Sequence, residues 1–326
     1  MSRPYYIFQS GSIMRKENTI YLENESGEKR AIPIEDVEAL HIFGEVEFNT
    51  KFLNLISQYE IPIHIYNYYG FYSGSFMPRD RNVSGELLVK QVEYYVDEEK
   101  RLFLAISFVD GAIFHMLRNL KSYKGTEEFQ EKISIELDNS YQCKDISELM
   151  GCEGRVRDIY YQSFNVFLKE GFLFEKREKR PPTNPINALI SFGNSLMYST
   201  VLTEIYKTPL NPTVSYLHEP RERRYSLSLD ISEIFKPLII DTIIFRLINN
   251  NMIKLEDFEE DVNYCYLNET GRKKFIQELE SKLNTTIKHR KLKRNVSYRT
   301  IIRLECYKLI KHLIDDEIYT PFKAWW

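Results

Sequence analysis

The sequence predicts an α+β protein of two domains. A small N-terminal β-sandwich or roll covers residues 1–80, and a larger all-α domain covers 81–326. Three observations carry this reading. The opening residues hold many short β-branched and aromatic runs separated by close turn signals. Beyond them the apolar period changes to that of a helix. Between the two, Met77 to Gly85 (M-P-R-D-R-N-V-S-G) is polar, contains both Pro and Gly, and reads as a linker.

Tyr6 to Phe8 is the first short apolar run. Ser12 to Lys16 and Thr19 to Glu23 flank Glu17-Asn18, a hairpin turn. Asn24-Glu25-Ser26-Gly27 is a second turn, leading to a strand over Lys29 to Pro33. Val37 to Phe43 and Glu45 to Asn49 are further strand candidates. Thr50 can cap a short helix that buries Phe52, Leu53, Leu55 and Ile56. Ile63 to Tyr66 is β-branched and aromatic, and Asn67 to Gly70 turns the chain into Phe71 to Phe76. After the linker, Leu88, Val92, Tyr95, Phe103, Ile106, Val109, Ile113, Leu117 and Leu120 recur at helical spacing, as one very long helix weakened at Gly111 or as two. Helices are then expected over Glu127 to Leu137, over Ile146 to Leu168 with interruptions at Gly151 and Gly154, and over Asn187 to Tyr206, apolar enough to be central. Further helices cover Leu227 to Asn249, kinked at Pro237, then Thr270 to Leu283 and Tyr298 to Asp315. No internal repeat or low-complexity tract interrupts this order.

With 326 residues, 43% of them apolar, the chain can bury a large core. A net charge of -3 gives no global pull toward nucleic acid but leaves room for local basic patches. Cys143, Cys152, Cys265 and Cys306 have no C-x-x-C spacing, so free thiols are expected rather than a zinc site or a disulfide framework. The N-terminus lacks the apolar core of a signal peptide. Pro237 to Leu247, the most apolar run, is interrupted by Asp241 and Arg246 and is too short to span a bilayer. A cytoplasmic protein with no membrane partner is expected. The sequence contains no G-x-x-x-x-G-K-[ST], G-x-G-x-x-G or G-x-S-x-G, so P-loop, dinucleotide and α/β-hydrolase chemistry lose support.

Residues 211–241 carry the chemistry. His218 is followed, after a charged loop, by Asp230 and Glu233, three residues apart on one helix face, with Lys236 continuing that face. A neutral imidazole and carboxylates are ligands for a divalent cation such as Mn²⁺ or Mg²⁺. The alternative is a solvated loop histidine and an ordinary acidic helix start. Glu153, in M-G-C-E-G-R, is flanked by two glycines, each about 1 kcal/mol worse than alanine in a helix interior. That fits either a close approach to the backbone or a new helix beginning there. Basic surface comes next. The run Lys288 to Arg294 (K-H-R-K-L-K-R) lacks acids and suits a phosphodiester backbone. Glu175 to Arg180, with interleaved glutamates, reads as a solvated face. Arg155, Arg157, Arg221, Arg223, Arg224 and Lys236 lie near the candidate ligands in sequence and could hold DNA. His41, His64 and His115 read as structural.

Three motifs in order resemble those of the CRISPR-associated protein one family, the metal-dependent DNA endonuclease and integrase of spacer acquisition: G-C-E-G-R-V-R-D-I-Y-Y, then R-P-P-T-N-P-I-N-A-L-I-S-F-G-N-S-L-M-Y, then L-H-E-P-R-E-R-R-Y-S-L-S-L-D-I-S-E-I-F-K-P-L-I-I-D. The ending Y-T-P-F-K-A-W-W is also similar, so the resemblance spans essentially the whole chain. It implies a metal site of Glu153, His218 and Glu233, with Asp230 assisting and Lys236 near the scissile phosphate. Arg155, Arg157, Arg223, Arg224, Lys288, Arg290, Lys291, Lys293 and Arg294 would then hold DNA. Many relatives carry Tyr where this chain has Asn194, and some carry Asp at the position of Glu233. The implied reaction is attack of a fragment's 3′-hydroxyl on a CRISPR-repeat phosphodiester. The implied partners are double-stranded DNA, a second copy of the chain through the N-terminal domain, and CRISPR-associated protein two. Against this stands a non-catalytic DNA-binding scaffold that positions another nuclease, which would be indifferent to chelator.

Overall fold

The computed structural model describes residues 2–79, 82–178, 181–220, 225–261 and 264–325. The chain divides into two compact units, Met1–Arg81 and Asn82–Trp326.

The first unit contains β1 (Arg3–Ile7), β2 (Gly11–Lys16), β3 (Thr19–Asn24), β4 (Lys29–Pro33), β5 (Val37–Ile42), β6 (Val46–Phe48), helix α1 (Thr50–Gln58), β7 (Ile63–Tyr66) and β8 (Tyr72–Phe76). They form two four-stranded sheets, ordered β4-β3-β2-β6 and β1-β5-β7-β8. One core joins them. Ile13, Ile20 and Ile32 of the first sheet cluster with Ile7, Leu40, Ile42 and Ile63 of the second, and Phe52, Leu55 and Ile56 of α1 complete it. Each such side chain contributes about 1.5–3 kcal/mol when fully buried. The hairpin at Glu17-Asn18 is present, with Lys16 paired to Thr19 and Glu17 in the left-handed region. Two details differ from expectation. Asn49, not Thr50, caps α1, its side chain accepting from Phe52 N–H at 3.1 Å. The β1–β5, β5–β7 and β2–β6 pairings are parallel. Crossovers of this kind leave no turn signature between the paired strands.

The second unit is mostly helical: α2 (Gly85–Val96), α3 (Glu98–Leu120), α4 (Glu127–Ser140), α5 (Ile146–Gln162), the single turn α6 (Phe164–Phe167), α7 (Pro185–Tyr206), α8 (Ser226–Phe235), α9 (Thr242–Asn249), α10 (Glu269–Asn284) and α11 (Tyr298–Leu313). Two small antiparallel ribbons interrupt it, β9 (Phe258–Asp261) with β10 (Tyr264–Leu267) and β11 (Thr286–Lys288) with β12 (Asn295–Ser297). The expectation of an all-α unit is corrected to that extent; strands of three or four residues are too short to establish a period of two.

The expected weak point at Gly111 is not where the chain breaks. It breaks at Asp97, whose extended backbone ends α2 and whose carboxylate caps α3 through Lys100 N–H at 3.0 Å. Gly111 instead lets the C-terminal tail pass: a Cβ there would lie 2.8 Å from Pro321 Cβ. Nor do Gly151 and Gly154 interrupt α5, which runs unbroken from its Asp145 cap. Pro237 acts as expected, in the form of a π-helical segment, Lys236–Asp241, between α8 and α9. Helix α7 is buried over nearly its whole length, as its apolar sequence predicts.

Helix α3 is the one among the described residues long and apolar enough to cross a membrane, and 61% of its apolar window is buried inside the fold, as in a core helix. Beyond α11 the tail lies against the unit as a strap. Glu305 accepts Tyr319 O–H at 2.6 Å and Phe322 N–H at 3.0 Å. Buried His115 joins the strap to α8. Its Nδ1 donates to Ile234 C=O at 3.0 Å and its Nε2 accepts Ala324 N–H at 3.2 Å. Burial pushes the His115 imidazolium down to about 3, which matches a neutral ring with one donor and one acceptor.

Candidate functional site

Helix α5 supplies Glu153 and helix α8 supplies Glu233. One guanidinium joins them. Arg157, one turn beyond Glu153, pairs through Nε with Glu153 and through Nη2 with Glu233. Lys236 Nζ donates to the other Glu233 oxygen at 2.6 Å. Burial works against the charged Glu153 carboxylate, but Arg157 outweighs it and holds Glu153 below its ordinary range. Burial also works against the Arg157 cation, and Glu153 in turn holds that cation firmly charged. Burial, reinforced by Arg157, pushes the Lys236 ammonium down to about 7. Asp241, buried behind them, is raised by burial to about 7.

His218 stands in the loop before α8, and Asp230 organises that loop. The Asp230 carboxylate is fully buried. One of its oxygens accepts the N–H groups of Tyr216 at 2.6 Å and Leu217 at 3.1 Å. The other accepts His218 N–H at 3.0 Å and His218 Nδ1 at 2.9 Å. A carboxylate partner at Nδ1 puts the ring proton there and leaves the lone pair on Nε2, the tautomer a metal-ligating histidine needs. The His218 ring lies within electrostatic reach of Glu153. Asp230 and Glu233 share a helix, as their spacing predicts, but they differ in use: Asp230 is committed to the loop.

Among the described residues, no three of His, Cys, Asp and Glu are arranged as metal ligands. Glu153 and Glu233 meet a cation all the same, the Arg157 guanidinium. Two carboxylates that converge on one positive charge and an imidazole of fixed tautomer are the donor types a hard divalent ion takes.

The basic residues fall in different places. Arg157, read from the sequence as a DNA contact, is turned inward between the two carboxylates. Lys236 likewise faces Glu233. Arg155 points away from Glu153 and reaches Glu136 on α4 at 2.8 Å and Cys152 Sγ at 3.0 Å. Arg221, Arg223 and Arg224 lie outside the described residues. Lys288, Arg290, Lys291, Lys293 and Arg294 are exposed on and around the β11–β12 ribbon. Arg290 sits over the Trp325 ring at 5.1 Å and Lys291 pairs with Glu317 at 3.4 Å. Two residues near the site were missed. Arg177, placed by its alternating charges on a solvated face, is partly buried and donates to Asn187 Oδ1 at 2.9 Å and Ser191 Oγ at 3.0 Å on α7. The buried aromatics Phe172 and Phe174 just before it were the available signal. Asp241 was visible only as a charge inside the most apolar run of the chain. His64, expected to be structural, is buried with Nδ1 2.7 Å from Ser75 Oγ.

Comparison with known proteins bears on this geometry. The family model described as CRISPR associated protein Cas1 matches residues 5–281. A CRISPR-associated endonuclease Cas1 of Thermodesulfovibrio yellowstonii is 73% identical over 324 residues, 99% of this chain and 100% of that protein. One from Clostridium perfringens is 61% identical, with both chains fully covered. The solved structure of a Cas1 protein from Thermotoga maritima superposes with a TM-score of 0.91 at 40% identity, covering 97% of this chain and 99% of that one. A chain of a Cas6-RT-Cas1–Cas2 complex shares the fold at 18% identity and a TM-score of 0.87, covering 100% of this chain and 36% of its own length. Endonucleases of this family imply the use of a divalent metal in general terms. The chain therefore belongs to the CRISPR-associated protein Cas1 family, a family of CRISPR-associated endonucleases.

Proposed function

We propose that the chain is a divalent-metal-dependent DNA integrase and endonuclease that inserts short foreign DNA fragments into a CRISPR array. The observation that carries this is the meeting of Glu153 and Glu233, from two helices distant in sequence, on one cation beside His218. Glu153, His218 and Glu233 would hold Mn²⁺ or Mg²⁺, which when bound supplies Lewis-acid polarisation of a phosphodiester oxygen. The chain's own residues do the rest. Asp230 keeps the His218 lone pair on Nε2. Arg157 holds the two carboxylates together and Glu153 ionised, and Lys236 donates to Glu233. In joining, the fragment's 3′-oxygen forms a bond to phosphorus as the repeat strand's 3′-oxygen departs; no protein nucleophile is required. The exposed cations from Lys288 to Arg294 hold the DNA backbone.

The second unit is the catalytic domain and the first the dimerisation domain in this reading. CRISPR-associated protein two is the expected partner, a reading supported by the solved Cas6-RT-Cas1–Cas2 neighbour of the same fold, and the cytoplasm is the expected compartment. The test is joining of labelled DNA fragments to a repeat duplex in Mn²⁺, Mg²⁺ or EDTA. Glu153→Ala is expected to lower joining by at least about 100-fold while DNA binding survives. Joining by Glu153→Ala at the normal rate, or joining by wild type in EDTA, would overturn the assignment.

A further inference from the structure

Two sulfur atoms touch beside the first motif. Cys143 Sγ, in the turn between α4 and α5, lies 3.6 Å from Cys152 Sγ on α5. A disulfide bond is about 2.05 Å long, so the sulfurs need to approach by roughly 1.5 Å. Cys143 is half-buried and gives solvent a path to the pair, whereas Cys152 is 5% exposed. Arg155, anchored on Glu136, directs Nη2 at Cys152 Sγ from 3.0 Å. The remaining thiols, Cys265 and Cys306, are buried on β10 and α11.

We propose that Cys143 and Cys152 form an oxidisable dithiol, which an oxidant of the peroxide class converts to an intramolecular disulfide one residue from Glu153. Cys152, with the Arg155 guanidinium 3.0 Å from its sulfur, is the attacking sulfur, and Cys143 resolves it. Cys152 Sγ attacks the peroxide: an S–O bond forms, the O–O bond breaks, and the thiol proton leaves with the departing oxygen. Cys143 Sγ then attacks that sulfur: the S–S bond forms, the S–O bond breaks, and the oxygen leaves as water with the Cys143 proton. The two sulfurs lose two electrons in all, and the peroxide takes them. A thiol reductant reverses the change by exchange.

The consequence for the reaction rests on the reading of Glu153 given above. Closing the bond draws the second turn of α5 toward the α4–α5 turn and shifts Glu153 relative to Glu233. DNA joining is then expected to fall about tenfold or more, because displacements on the order of 1 Å have effects of that size.

The test treats the full reduced chain with hydrogen peroxide, blocks remaining thiols with N-ethylmaleimide, and maps peptides without reduction. A cross-linked peptide joining Cys143 to Cys152, removed by dithiothreitol, is the expected product. Joining activity should fall and recover with it, and Cys143→Ser should join DNA normally without peroxide and form no linked peptide with it. Recovery of both cysteines unlinked, or linked only between chains, would overturn the proposal. A complete disulfide with an unchanged joining rate would overturn its coupling to α5. The reading of Glu153 fails separately, by full joining activity in reduced Glu153→Ala.

Discussion

Asp230 shows what residue spacing can and cannot say. From the sequence it equals Glu233: same helix, same face, three residues apart. In the fold it turns back on the preceding loop and takes three backbone N–H groups and the His218 ring. Whether a carboxylate ligates or orients depends on which partners the loop brings to it, and no local pattern encodes that. The inward turn of Arg157 was not legible for the same reason, since its direction is set by Glu233 on α8, a helix distant in sequence. Asp230→Asn keeps the shape but replaces one acceptor with a donor facing backbone N–H groups. Stability should drop by about 1–3 kcal/mol. Mn²⁺ binding, followed by the resonance of free Mn²⁺, should weaken by about 10–100-fold, as for other residues that orient a ligating histidine. Folded Asp230→Asn that binds Mn²⁺ as wild type does would leave Asp230 as a brace for the loop and nothing more.

At the scale of elements, periodicity made most helices legible, and the breakers were the source of error. Asp97, unremarked in the sequence, ends α2, while Gly111, Gly151 and Gly154 all lie inside continuous helices. The glycines differ in purpose. At Gly111 a Cβ would collide with Pro321, so the fold itself requires the glycine. At Gly154 a Cβ would meet nothing within 4 Å. The fold therefore has no use for glycine there, although it weakens the helix by about 1 kcal/mol against alanine. The bare backbone lies next to Glu153, where the proposed reaction would bring a DNA strand close. Gly154→Ala should accordingly raise stability to denaturant by about 0.5–1 kcal/mol and yet lower DNA joining. Gly111→Ala should destabilise. If Gly154→Ala gained stability and joined DNA at the wild-type rate, the glycine would have no part in strand approach.

For the whole molecule, the class of fold was legible because turns and helical periods are written locally. The parallel pairings, the strap and the two ribbons were not, because they depend on contacts between distant segments. Charge follows the same division. The net value of -3 describes no surface, whereas Lys288, Arg290, Lys291, Lys293 and Arg294 concentrate five cations in one ribbon. That ribbon is held in shape. His289 N–H donates to Arg294 C=O and Lys293 N–H to His289 C=O, both at 2.9 Å, and Trp325 of the strap packs under Arg290. A preformed basic loop of this kind should bind backbone without reading bases. Replacing the five cations with glutamine should weaken binding equally across DNA sequences. It should also flatten the plot of log affinity against log salt by up to about 0.9 for each phosphate no longer neutralised. Joining at saturating DNA should be unchanged, since the proposed ligands on α5, α8 and the His218 loop are untouched. A salt slope identical to wild type would mean that the loop is a solvated face and that DNA is held elsewhere.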